Sequence, residues 1–403
     1  MLAPVGLFIL PEKLTCVNNQ QPQVLYLVPE KCTIAMKEIQ SVVNAYQRID
    51  FNSHKASLAT VVRVEGSSYR RTGARMLVVD DGNYLGGISG GCLEGDALRR
   101  AQKAISANKP SVITYDTTQD DGHQIGVGLG CNGIIDVLFT PLDPADANNP
   151  VRTIEGLTTT RVPRIVVWIT GCSDNFQALG KLWRYDNDAQ FRESFALPAL
   201  TEQVLQDIHH CRETLTSRTF FYTAGGEQVK VFVEVILPVM HLVIYGGNYD
   251  MYPLVRIARE LGWDISVVTN VTKADKSLFT TATKVLHNKG EEQPLIDHYT
   301  AVLLMTHDYK TDYGHLQRLL ATDAGYIGLL GPRKRSQKMF DAMKEEGKVL
   351  SAKDAERIYA PSGLNIGANA PEEIALSIVA EIISHYSKRP GTPLRLKEGT
   401  IHD

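Results

Sequence analysis

Hydrophobic positions change their period along this chain, and the changes mark its parts. Residues 1 to 35 show no useful period, which predicts a poorly structured leader or an upstream extension of a protein starting at Met36. From Met36 to about Asp50 apolar residues recur at helical spacing, predicting an amphipathic helix. Strand patterns follow at Ala56–Val64, Ala74–Val79, Tyr84–Ser89 and Ile134–Thr140, with a helix from Glu94 to about Ala107. The run Asp80-Asp81-Gly82-Asn83 is a hairpin signal between two of those strands. Pro141, Pro144 and Pro150 mark the end of this first domain, 36–150. Residues 151 to 238 carry strand patterns at Arg164–Thr170 and Gln228–Leu237 and read as a β-rich extension.

At His241 the pattern becomes an alternation of short apolar runs and helical segments. Strands are predicted at Leu242–Tyr245, Asp264–Thr269, Ala301–Thr306 and Tyr326–Leu330, and helices at Tyr252–Leu261 and Pro371–Tyr386. In the last helix Ile374, Ile378, Ile382 and Ile383 are assigned to one buried face. Alternation at this spacing implies parallel βαβ units with right-handed crossovers. The fold class is therefore α/β: an N-terminal mixed α+β domain followed by a C-terminal Rossmann-like parallel-sheet domain, 239–390, with a tail at 391–403.

Composition narrows the function classes. The 403 residues are 43% hydrophobic and 22% charged with a formal net charge of -3, so no basic surface argues for nucleic acid or an anionic membrane. No apolar stretch has bilayer length, and residues 1–10 lack the flanks of a signal peptide. The six cysteines contain no C-x-x-C pair, which points away from a disulfide framework or structural zinc and towards a reducing cytoplasm.

Two cysteines stand out among glycines. Cys92 lies in Gly90-Gly91-Cys92-Leu93-Glu94, where a strand gives way to a helix whose dipole would favour a thiolate. Cys131 follows Gly130 in a similar run. Both read either as ligand-facing thiols or as small residues packed in tight turns. Arg70, Arg71 and Arg75 lie in a Gly/Ser loop that could hold an anion or simply face solvent.

In the C-terminal domain Gly246 and Gly247 open the first βα turn. Asn248 and Met251 occupy the second and third glycine positions of a dinucleotide fingerprint, and Thr269-Asn270 stand where a ribose-binding acid is expected. Binding of NAD(P) is therefore disfavoured. His307 ends a strand at the carboxyl edge and reads as a base, a metal ligand or a structural turn histidine. Arg333, Lys334 and Arg335 follow Gly331-Pro332 at a helix start, as an anion site or a basic surface loop.

Together these segments resemble the XdhC/CoxI family of xanthine and carbon-monoxide dehydrogenase maturation factors. The stretches that carry the resemblance are Thr60–Ser68, Gly73–Met76, Ser89–Gly95, Gly128–Cys131, Met305–Asp308, Tyr326–Arg333 and Ala360–Ala368. The resemblance implies a cytoplasmic chaperone, more than a catalyst, that binds molybdenum cofactor (molybdopterin) and delivers it in sulfurated form to a molybdenum hydroxylase client. It further implies a homodimer and a sulfur-donating enzyme as partner, with Cys92, Cys131, Gly90, Gly91, Gly130, Arg75, Gly246, Gly247, His307 and Arg333 around cofactor. Asn248, Thr269 and Ala370 depart from the family pattern. The alternative reading is a nicotinamide-dependent oxidoreductase of a small substrate, and a third is a binding module for a nucleotide-like metabolite.

Overall fold

The computed structural model describes residues 34–118, 133–146, 148–173 and 177–398. The leader read into residues 1–35 falls almost wholly outside these, as do Gly130 and Cys131. The described chain forms three sheets.

The first part comprises helix α1 (Ile34–Gln47), strands β1 (Ala56–Gly66), β2 (Arg75–Val79) and β3 (Tyr84–Gly86), helix α2 (Glu94–Ala107), and strands β4 (Ser111–Asp116) and β5 (Gly133–Leu142). Its sheet is antiparallel in the order β3-β2-β1-β5-β4. The third strand stops at Gly86, earlier than its pattern predicts. There φ is +84°, and a Cβ would stand 2.3 Å from the Arg75 carbonyl, so the chain must turn on a glycine.

The middle part holds α3 (Pro150–Glu155), β6 (Arg164–Gly171), β7 (Leu182–Tyr185), α4 (Asp188–Ser194), α5 (Thr201–Thr214), β8 (Arg218–Ala224) and β9 (Glu227–Ile236). Its antiparallel sheet runs β7-β6-β9-β8. This part is less β-rich than its sequence suggested. The helix α5 buries Val204, Leu205, Ile208 and Cys211, which recur at helical spacing. One apolar cluster joins Leu58 and Leu138 of the first sheet to Trp168, Phe232 and Ile236 of the second, so the two sheets share a core.

The third part contains β10 (His241–Gly246), α6 (Met251–Glu260), β11 (Asp264–Thr269), α7 (Leu278–Thr281), β12 (Lys284–His287), β13 (Thr300–Met305), α8 (Tyr309–Leu319), β14 (Tyr326–Leu329), α9 (Arg333–Glu345), α10 (Ala352–Arg357), β15 (Ile358–Tyr359) and α11 (Pro371–Ser387). Six parallel strands lie in the order β12-β11-β10-β13-β14-β15, the doubly wound Rossmann-like arrangement that the alternating pattern predicted. Alternate residues of β10 feed opposite faces: Leu242 and Ile244 pack with α6 and α11, and Val243 and Tyr245 with α8 and α9. On α11, Ile378 and Ile382 are buried and Ile374 is partly so, but Ile383 is 39% exposed. It stands nine residues, about 180°, from Ile374 at 3.6 residues per turn and so leaves the buried face. Ala370 supplies no hydroxyl cap, yet Glu373 Oε2 accepts the N–H groups of Asn369 and Ala370 at 2.8 and 3.0 Å.

Two sets of polar contacts join the antiparallel sheets to the parallel one. Lys37 of α1 donates to the Glu260 carbonyl at the end of α6. Arg161 grips Asp297 at 2.7 and 2.8 Å and reaches the carbonyls of Val239 and Tyr299, just before β10 and β13. Both sets fall at the amino edge of the parallel sheet.

Candidate functional site

The Gly-flanked turn of the first sheet is held by a serine and a glutamate. Ser89 Oγ accepts the N–H groups of Cys92 (3.1 Å) and Leu93 (3.0 Å). The Glu94 carboxylate in turn accepts the Ser89 N–H at 2.8 Å and its hydroxyl at 2.5 Å. Burial pushes the Glu94 carboxyl up, but these bonds, with the backbone N–H groups of Glu94 and Gly91, outweigh it and hold the pKa below the ordinary value. The amides of Cys92 and Leu93, just before α2, are thus occupied within the turn, and a carboxylate sits at the same helix end. Cys92 itself is exposed, two residues before the first helical residue.

Its glycines have separate reasons. At Gly90 a Cβ would stand 3.1 Å from the Tyr69 ring, so the missing side chain lets that ring lie on the backbone. Gly91 has φ +109° and open space where a Cβ would project, leaving the turn accessible beside the thiol.

Arg75 lies elsewhere. Its guanidinium is 1% exposed and makes two bonds to Glu234, at 2.6 and 2.7 Å, with a third to the Gly73 carbonyl at 2.7 Å. Trp168 Nε1 donates to the same carboxylate at 3.1 Å. The residue read from sequence as an anion-holding loop cation is therefore an internal tie between two sheets. Arg70 pairs with Glu38 of α1.

At the carboxyl edge of the parallel sheet, Gly246 and Gly247 are explained by packing. A Cβ on Gly246 would meet the Met305 carbonyl at 2.7 Å, and one on Gly247 the Thr269 hydroxyl at 2.3 Å. Next to them His307 has φ +60°, a left-handed conformation uncommon for a non-glycine residue, though histidine is among those that adopt it more readily. Its Nε2 lies 2.8 Å from Asp250 Oδ2, bridging the turn after β13 to the start of α6. Asp250 Oδ1 is buried without a partner among the described residues. A carboxylate on Nε2 fixes the proton there and leaves Nδ1 as an acceptor, so the pair can take a proton from a ligand or hold a polar group. It sits between β10 and β13, where the strand order reverses and open α/β sheets bind ligands.

Arg333 is exposed at the start of α9. Its neighbour Arg335 is balanced by Asp312 at 2.6 Å, and Asp312 also accepts the Thr306 hydroxyl at 2.6 Å. Of the three clustered cations, then, one is internal to the fold. No group of three His, Cys, Asp or Glu side chains converges as a metal site among the described residues. Neither is any helix there long and apolar enough to cross a membrane.

Sequence reasoning did not single out Asp250, Ser89 or Glu234 as partners. Only Ser89, three and four residues before the amides it serves, carries a local signal. The antiparallel sheets meet the parallel sheet at its amino edge, while His307 and Arg333 stand at the carboxyl edge. A six-residue strand separates those edges by about 17–20 Å. Within one chain the Cys92 turn belongs to the antiparallel body and the His307 pair to the far edge of the parallel sheet.

These features define an α/β protein with a thiol-bearing glycine turn on an antiparallel body and a Rossmann-like sheet with an altered fingerprint. The chain belongs to the XdhC and CoxI family: residues 52–116 match the model of that name and residues 242–382 match the XdhC Rossmann domain. It is 31% identical over 339 residues to a probable xanthine dehydrogenase subunit of Bacillus subtilis, covering 82% of this chain and 93% of that protein. It is 24% identical over 364 residues to the molybdenum cofactor insertion chaperone PaoD of Escherichia coli, covering 90% and 91% respectively. A crystal structure described as a xanthine dehydrogenase from Bacillus halodurans superposes with a TM-score of 0.66 at 25% identity, covering 87% of this chain and 96% of that one.

Proposed function

We propose that this protein is a maturation factor that carries molybdenum cofactor as cargo and delivers it, sulfurated, to a molybdenum hydroxylase of the xanthine or carbon-monoxide dehydrogenase type. The observation that carries the reading is Cys92: an exposed thiol on a glycine turn, set beside open space at Gly91 and braced by Ser89 and Glu94. Thiolate sulfur is a soft ligand suited to a metal–sulfur centre. Likeness to a molybdenum cofactor insertion chaperone over 90% of the chain supports the same reading. Arg75 has no part in holding the cargo, because its guanidinium is enclosed by Glu234. His307, backed by Asp250, and the exposed Arg333 offer a separate surface for a second polar ligand at the carboxyl edge, with Gly246 and Gly247 serving the packing beneath it. The expected setting is the cytoplasm, with the client enzyme, a sulfur-donating enzyme and a second copy of the chain as partners.

The test is the content of the purified protein. Produced in a molybdenum-replete host, it should carry pterin and molybdenum in fixed ratio, and Cys92→Ala should lower both. Protein free of pterin under those conditions contradicts the proposal.

A further inference from the structure

The outer face of α11 carries apolar side chains that the described chain leaves uncovered. Ala375, Ile378, Val379, Ile382 and Tyr386 point inward and join the core beneath α6. On the other side Leu376 is 53% exposed, and Ile383 is exposed as well. Seven residues make about two turns at 3.6 per turn, so these two share one stripe, with the small Ala380 between them.

More apolar surface flanks the stripe. The segment after α11 folds back beside it: Ser384 donates to the Arg389 carbonyl, and a Cβ on Gly391 would stand 2.9 Å from Leu364 and 3.5 Å from the Ser384 hydroxyl. That segment carries Leu394 and Leu396, each 67% exposed. Single exposed leucines are ordinary on a protein surface, but an apolar stripe with apolar flanks marks a contact surface.

The charges at its ends select the occupant. Glu372 and Glu373 are exposed in the first turn of α11, and the exposed Lys388 is its C-cap. Glu373 is engaged in capping, and Glu372 reaches only Arg256, at 4.0 Å. Acid at one end and base at the other make the stripe complementary to itself turned end for end. Laid antiparallel, Leu376 meets the partner's Ile383, Glu372 comes opposite the partner's Lys388, and Ala380 lets the two backbones approach. Opposed helix dipoles favour the same arrangement. A patch that matches itself in this way is that of a two-fold dimer.

We propose that a second copy of this chain docks on α11, the two helices antiparallel about an axis near Ala380. A stable interface takes about 800 Å² from each partner, more than one helical stripe supplies, and Leu394 and Leu396 widen the patch. The docking concerns only the second copy among the partners proposed above, and it needs neither the Cys92 thiol nor cargo.

Sedimentation equilibrium of the full chain tests it. The parent should be a dimer at about 10 µM. Leu376→Glu and Ile383→Glu should each weaken dimerisation at least roughly tenfold, since each change enters the interface twice. Their far-UV circular dichroism should match the parent's, because both side chains are exposed. Glu372→Lys or Lys388→Glu alone should weaken the dimer roughly threefold or more, and the double variant should recover most of the loss. Both reversals oppose the dipole of their own helix, so recovery has to come from pairing across the interface. A parent still monomeric at about 100 µM, an unchanged dimer in Leu376→Glu, or a double reversal no better than the single ones overturns the proposal. Each of those results leaves pterin and molybdenum content, and with it the cargo reading, untouched.

Discussion

The guanidinium of Arg75, on the first sheet, holds both carboxylate oxygens of Glu234, on the second, at 2.6 and 2.7 Å in a site nearly closed to water. Removing one partner of such a pair leaves a buried charge, at a cost of about 3–5 kcal/mol. Arg75→Met should therefore lower stability by that amount in urea unfolding followed by tryptophan fluorescence. Adding Glu234→Gln, which still accepts from Trp168, should recover more than half. An Arg75→Met protein as stable as the parent would show that the pair does not bind the sheets.

Exposure separates the thiols. Burial, with Asp207 adding to it, pushes the Cys211 thiol up to about 12, whereas Cys92 is exposed. Iodoacetamide at pH 8 should label Cys92 in the native protein and spare Cys211 until denaturant is added, as read by peptide mass spectrometry. Labelling of Cys211 at the Cys92 rate would contradict this.

Stability should fall on mild acidification. Burial, with Arg318 beside it, holds His315 at about 4, and burial lowers His241, His298 and His385 as well. The unfolded rings, near 6.5, take up protons that the folded ones refuse. The stabilisation is complete above pH 6.5 and is lost as pH falls towards 4. His315→Gln should flatten, without abolishing, the decline of the thermal midpoint over that window; an unchanged slope would exclude His315 as a contributor.

Close packing, more than ligand approach, explains Gly247. Gly247→Ala places a methyl 2.3 Å from the Thr269 hydroxyl and should cost about 1–3 kcal/mol. Thr269→Ala should relieve most of that loss in the double variant. Gly247→Ala with parental stability would mean that the turn shifts freely.

Much of this fold is written locally. The run Asp264–Thr269 forms the strand its β-branched residues predict, and the alternation after His241 yields the parallel sheet. The helix α5 escaped notice because its start has no capping side chain, Leu200 standing at the N-cap, and its buried positions lie between strands. The sites were less legible. Arg75 looks like a loop cation because its partner is 159 residues away, and no local pattern marks such a pair. His307 was visible as a residue at a strand end, but its bond to Asp250 arises only when β10 and β13 lie side by side. The resemblance set Gly90 around cofactor, and its missing side chain makes room for the Tyr69 ring, a partner 21 residues away that no local pattern marks.

The central claim is maturation of a client through Cys92, and activity of the cell's own molybdenum hydroxylase tests it most directly. In cells lacking this chain, the hydroxylase should accumulate as protein but be deficient in sulfurated cofactor and activity. The intact chain should restore both, and Cys92→Ala, whose exposed site leaves folding within about 0.5 kcal/mol, should not. Full hydroxylase activity without this chain, or full rescue by Cys92→Ala, would contradict the account.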